Sequence, residues 1–163
     1  MCVGYMRFDN VLTVFFQSVL ELESNVQRDM TNARAWYELG IKEQESEREH
    51  KAVLALRRAL ELDPSHLESW LALAISLTNE NNRTGADEAI LEWVKRNERY
   101  AEVVKSIDLP ERMQEGYSEN MSIHTQLINC LIAMARSRTD EIDADVQIAL
   151  AALLNVNEVC VYL

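Results

Sequence analysis

The chain has 163 residues and a formal net charge of −11, from 27 acidic and 16 basic side chains. With 48% apolar and 26% charged residues it has the make-up of an ordinary soluble globular domain with a sizeable core. Four glycines and two prolines exclude a sheet-rich fold full of tight turns, and the acidity speaks against nucleic-acid binding, which needs a basic patch.

Taken in chain order, Leu12, Phe15, Phe16, Val19, Leu20, Leu22 and Val26 recur at helical spacing, so a helix is expected over 11–30. The run Val11–Phe16 is too short to span a membrane, and no small-residue cleavage site follows it. Thr31 or Asn32 can cap the next helix, from Ala33 to about Glu47. Gly40 lies inside that helix, where glycine costs about 1 kcal/mol against alanine. That cost is accepted where a neighbouring helix comes too close for a side chain. A polar turn from Glu45 to His50 leads into a helix over Ala52–Leu62, ended by Asp63-Pro64 because the residue before proline avoids the helical region. Helices are expected again over Leu67–Asn79 and Gly85–Asn97, with a short one near Arg99–Ser106. Pro110 and Gly116 make 107–120 an irregular connection. A strongly apolar helix over 121–136 and another over 142–158 complete the chain.

The central four helices repeat. Trp36 and Trp70 stand thirty-four positions apart, and at the same offset Leu39-Gly40 matches Leu73-Ala74, Ala52 matches Ala86, and Leu56 matches Ile90. This is the period of the tetratricopeptide helix–turn–helix unit, in which Trp36, Gly40, Ala52, Ala59, Pro64, Trp70, Ala74 and Ala86 occupy structural positions. The expected fold is an all-α tetratricopeptide-repeat solenoid of antiparallel helix pairs, one domain over 1–163, with repeats at 33–64 and 67–98. Trp93 takes the place of a small residue, which calls for wider packing there. The last helix reads as the first half of a unit whose second half is missing. The sequence therefore predicts a truncated repeat array with exposed apolar surface and concentration-dependent association.

Residues for chemistry are scarce. Cys2, Cys130 and Cys160 form neither a disulfide framework nor a zinc spacing, and Cys130 reads as a small buried hydrophobe in a reducing compartment. His50, His66 and His124 lack ligand spacing, and no phosphate loop or triad is present, so no enzyme, cofactor or metal is expected. The carboxylate pairs Glu43/Glu47 and Glu45/Glu49 read as solvated or ion-paired surface at a helix end.

Three runs narrow the reading. They are Ala35-Trp36-Tyr37-Glu38-Leu39-Gly40 with Gln44-Glu45-Ser46-Glu47, Ala55-Leu56-Arg57-Arg58-Ala59-Leu60-Glu61-Leu62-Asp63-Pro64, and Trp70-Leu71-Ala72-Leu73-Ala74-Ile75-Ser76-Leu77-Thr78-Asn79-Glu80. Together they resemble the first repeats of the receptor for the type 1 peroxisomal targeting signal. The stretch Trp93–Tyr100 is most similar to fungal members, and Asp143–Asn155 resembles the opening of the receptor's fifth repeat.

The resemblance implies a soluble import receptor that cycles between cytoplasm and peroxisomal membrane or matrix. Its cargo proteins would be bound by a C-terminal Ser-Lys-Leu-like tripeptide, and peroxisomal membrane docking proteins are further partners. Asn79 matches an asparagine that hydrogen-bonds the cargo backbone, Thr78 and Ile75 match wall positions, and Glu47 matches an acidic position of the binding funnel. On the residues alone Asn79 equally reads as a helix-ending asparagine, Thr78 as a local cap and Glu47 as a solvated turn residue. Met30 departs from the family's proline, and the family's carboxylate-binding groups sit mainly in later repeats, so the expected groove is incomplete. Two other readings stand beside it: a scaffold or co-chaperone repeat protein, and a truncated product without autonomous function. The scaffold reading needs a basic clamp that Glu38, Glu43, Glu45 and Lys42 do not supply.

Overall fold

In a computed structural model the described residues are 18–107, 109–110, 117–137 and 142–155, and of 117–122 only the helical backbone is described. The described elements are helical throughout. Where the sequence suggests one domain, the contacts group the chain into two compact units, Met1–Pro64 and Ser65–Leu163. The division falls at the Asp63-Pro64 helix stop.

The first unit holds α1 (18–28), α2 (Ala33–Glu45) and α3 (Glu49–Leu62). Residues 11–17 of the expected first helix lie outside the described residues. Val19 and Val26 of α1 bury themselves against Ala35, Leu39 and Ala55, with Leu22 and Trp36 packed on the edge. Asn32 caps α2, its Oδ1 accepting from the Ala35 N–H at 3.2 Å. The Trp36 indole N–H donates to the Met30 carbonyl at 3.0 Å. At Gly40 an added Cβ would lie 2.7 Å from Leu56 Cγ, so the glycine is what lets α3 approach α2.

The α2–α3 turn follows from two hydrogen bonds, Glu47 N–H to Gln44 O and Arg48 N–H to Glu43 O, both at 3.0 Å. These form a Schellman motif, and it puts Glu47 in the left-handed region at φ 57°. The same turn brings the Arg48 guanidinium to 2.6 Å from the Glu43 carboxylate, whose side chain is 3% exposed. Of the two expected roles Glu43 takes the ion-paired one, but buried and not at the surface. Helix α3 starts at Glu49, ahead of the expected Ala52, because the polar residues after the turn form its first, half-exposed turn. Asp63 ends α3 in the extended region, as the following proline requires.

The second unit repeats the hairpin. Helices α4 (Leu67–Asn79) and α5 (Arg83–Arg96) begin and end thirty-four positions after α2 and α3. The turn repeats too: Asn81 has φ 57°, with Asn81 N–H to Thr78 O and Asn82 N–H to Leu77 O at 2.9 and 2.8 Å. Asn82 then caps α5, which moves that helix's start two residues ahead of the expected Gly85. His66 caps α4 through Nδ1, which accepts from the Ser69 N–H at 3.3 Å. Ala74, Ala86 and Ile90 are fully buried, and Trp93 is buried where the first repeat has Ala59. The Arg96 guanidinium lies over the Trp70 ring, 5.0 Å from its centroid.

After α5 the period breaks. A single 3₁₀ turn (Glu98–Tyr100) and the short α6 (Ala101–Lys105) follow. Helix α7 (Tyr117–Ser137) includes residues 117–120, ahead of the expected 121, since polar residues alone do not stop a helix. Ile123, Leu127, Cys130, Leu131 and Met134 are its buried face. His124 joins them, its Nδ1 2.7 Å from Oδ1 of Asp87 on α5, both side chains almost wholly buried. Helix α8 (Ala144–Asn155) buries Val146, Ala149, Ala152 and Leu153. Residues 156–158 of the expected last helix lie outside the described residues. Among the described residues no helix is long and apolar enough to cross a membrane.

Candidate functional site

The second unit contains a groove of about 520 Å³ between α4 and α8, lined by Ile75, Thr78, Asn79, Ile148, Ala151, Ala152, Leu154 and Asn155. Its α4 wall comes from one helix face, because residues three and four apart stack on the same side. The α8 wall presents Ala151, Leu154 and Asn155 at the same spacing, so the two helices show equivalent positions to each other. The α8 wall is apolar up to Asn155, the α4 wall offers Ile75 and Thr78, and each wall closes on an asparagine at its C-terminal end. The small side chains of Ala151 and Ala152 leave the space between. None of the lining side chains is ionisable.

The chemistry on offer is amide hydrogen bonding against an apolar floor. A side-chain amide donates and accepts at once, the combination an extended peptide backbone satisfies. The Thr78 hydroxyl donates to the Ala74 carbonyl at 2.8 Å, which leaves its oxygen lone pairs and methyl group for the groove. Ile148 and Leu154 are partly exposed on the opposite wall.

Of the residues singled out from sequence, Ile75, Thr78 and Asn79 therefore come together in one groove. Glu47 lies in the first unit, exposed at its left-handed turn, and is not a lining residue. Asn155 and the α8 wall were not singled out. The signal was present in the match between Leu77-Thr78-Asn79 and Leu153-Leu154-Asn155, each closing a helix.

The start of α8 is set by Asp143. Its Oδ1 accepts from the Asp145 N–H at 3.0 Å, capping the helix. Its Oδ2 accepts from the Tyr100 hydroxyl at 2.8 Å and from Arg99 at 2.9 Å. Burial pushes this carboxyl up, but the hydrogen bonds from Tyr100, Arg99 and the Asp145 and Val146 backbone outweigh it and hold it below the usual carboxylate range. Arg99 is correspondingly raised by its hydrogen bond to Asp143. Burial pushes the Cys130 thiol up to about 11, so it is an inert core group. Among the described residues no group of three or more His, Cys, Asp or Glu side chains is arranged to hold a metal ion.

No protein-family model matches the chain. Curated relatives do. A PEX5-related protein of Rattus norvegicus is 35% identical over 144 residues, 86% of this chain and 24% of that protein. The peroxisomal targeting signal receptor of Yarrowia lipolytica is 32% identical over 147 residues, 87% of this chain and 24% of the receptor. Peroxisome biogenesis protein 5 of Arabidopsis thaliana is 30% identical over 141 residues, 86% of this chain and 18% of that protein. The fungal likeness of Trp93–Tyr100 does not extend to the whole chain, since the rat relative is the more similar of the first two. The chain spans about a quarter of the length of the first of these relatives. Over most of its own length, this all-α repeat chain is related to a segment of the peroxisomal targeting signal receptors and PEX5-related proteins.

Proposed function

We propose that the chain is a peptide-recognising segment of a peroxisomal import receptor, and that the α4–α8 groove takes an extended peptide of the C-terminal Ser-Lys-Leu class. The observation that carries this is the convergence of Ile75, Thr78 and Asn79 on one groove, with Asn155 facing them from the second wall. Asn79 and Asn155 hydrogen-bond the peptide backbone. Ile75, Ile148 and Leu154 take its apolar side chain, and Thr78 offers an acceptor. Cargo proteins and peroxisomal membrane docking proteins are the partners, and the cytoplasm with cycling to the peroxisome is the setting. The Yarrowia lipolytica relative is named a targeting signal receptor, which supports a binding role over a catalytic one.

The reading is tested by titrating isotope-labelled protein with a peptide ending in Ser-Lys-Leu and mapping amide shifts. Saturable shifts centred on 75–79 and 148–155 are expected. Shifts scattered over the surface, or none at millimolar peptide, would remove the proposal.

A further inference from the structure

The repeat hairpin fixes α5 against α4, whereas α8 lies outside that repeat and packs against α4, α5 and α7. The period fails after Arg96, and the connection that follows is irregular. The second wall of the groove must therefore be held by tertiary contacts. We propose that Tyr100, seconded by Arg99, is the positioning residue for that wall, acting through Asp143.

One carboxylate does two tasks. Oδ1 of Asp143 caps α8 from within, and Oδ2 is held from outside by the Tyr100 hydroxyl at 2.8 Å and Arg99 at 2.9 Å. Tyr100 is the stronger hold. It is 2% exposed, so its bond to a carboxylate with an 11% exposed side chain is shielded from water. Arg99 is 58% exposed, where an ion pair is screened and contributes little. The lowered Asp143 carboxyl agrees with a carboxylate held by donors. Twelve residues of helix form a rigid rod of about 18 Å. Release of its capped end lets α8 tilt, and the displacement is carried to Ala151, Leu154 and Asn155 at the other end.

The inference shares the groove with the proposed peptide site, but its test does not depend on peptide binding. Amide hydrogen exchange is measured along α4, α5 and α8 in the wild type, Tyr100→Phe, Asp143→Ser and Asp143→Asn. Serine keeps a cap but cannot reach Tyr100, and asparagine keeps the cap while its Nδ2 amide, a donor, replaces the Oδ2 that accepts from Tyr100 and Arg99. Tyr100→Phe and Asp143→Ser are expected to speed α8 exchange about tenfold with α4 and α5 unchanged. Their double variant is expected to add nothing further, and Asp143→Asn to speed α8 exchange as Asp143→Ser does. Equal acceleration across all three helices, additive effects, or Asp143→Asn staying at the wild-type exchange rate would overturn the proposal. A Ser-Lys-Leu peptide titrated into the same variants separates the two readings. Loss of α8 protection with no binding even by wild type sinks the peptide reading alone. Weakened binding without a change in α8 exchange sinks the clamp alone.

Discussion

Gly40→Ala should destabilise the protein although alanine is the better helix former. In the middle of α2 the change gains about 1 kcal/mol of helix propensity. Against that, the new methyl would sit 2.7 Å from Leu56 Cγ, 2.8 Å from Cδ2 and 3.4 Å from the Leu56 backbone nitrogen. Leu56 is fully buried, and its Cγ is no loose tip that can swing aside. The clash must be relieved by an off-rotamer Leu56 or by parting α2 from α3, and overpacking of that kind costs about 1–3 kcal/mol. The net expectation is a loss of about 1 kcal/mol, or about 2–4 °C in melting temperature for a chain of this size. Urea denaturation measures it directly. A cycle with Leu56→Ala locates the cause, because removing the obstructing atoms should turn Gly40→Ala neutral or stabilising, with a coupling of about 1–2 kcal/mol. If Gly40→Ala alone raises stability by its full propensity, the close approach of the two helices is not what demands the glycine.

Other outcomes follow from the turns and buried charges. Glu47→Gly should stabilise by about 0.5–1 kcal/mol in denaturant melts, because Glu47 occupies a left-handed position that glycine adopts without strain. Glu43→Ala should cost about 1–3 kcal/mol by the same measurement, since it leaves a partly buried Arg48 without its carboxylate, and Glu43→Gln should cost less. Asp143 has a lowered carboxyl in the folded chain, so its contribution is fully present above the unfolded value near about pH 4 and is lost as pH falls through the folded value. The stability difference between wild type and Asp143→Asn should accordingly shrink below about pH 4 in acid-denaturation curves, and a constant difference would contradict the clamp's charge.

The hairpins were legible because their signal is periodic. Trp36 and Trp70, Gly40 and Ala74, and Leu56 and Ile90 mark one register, and the helix bounds fall on it. The features that escaped have no period. Glu43 sits in a run of acidic residues that looks solvated, and only the left-handed turn at Glu47 brings Arg48 back to it without a glycine to announce the turn. The pairing of His124 with Asp87 joins residues 37 apart across a break in the repeat. Asp143 reads locally as a helix cap, and nothing nearby in sequence points to Tyr100. One wall of the groove was visible through Ile75, Thr78 and Asn79. The other needed the placement of α8, which depends on that same non-periodic contact.

Peptide recognition by the proposed α4–α8 site turns on the Asn79 amide. Isothermal titration of wild type and Asn79→Ala with a Ser-Lys-Leu-ending peptide tests it most directly. Weak but saturable binding, about −4 to −6 kcal/mol, is expected for wild type. Loss of a backbone-bonding amide should weaken it about tenfold. An unchanged dissociation constant in Asn79→Ala would contradict the account.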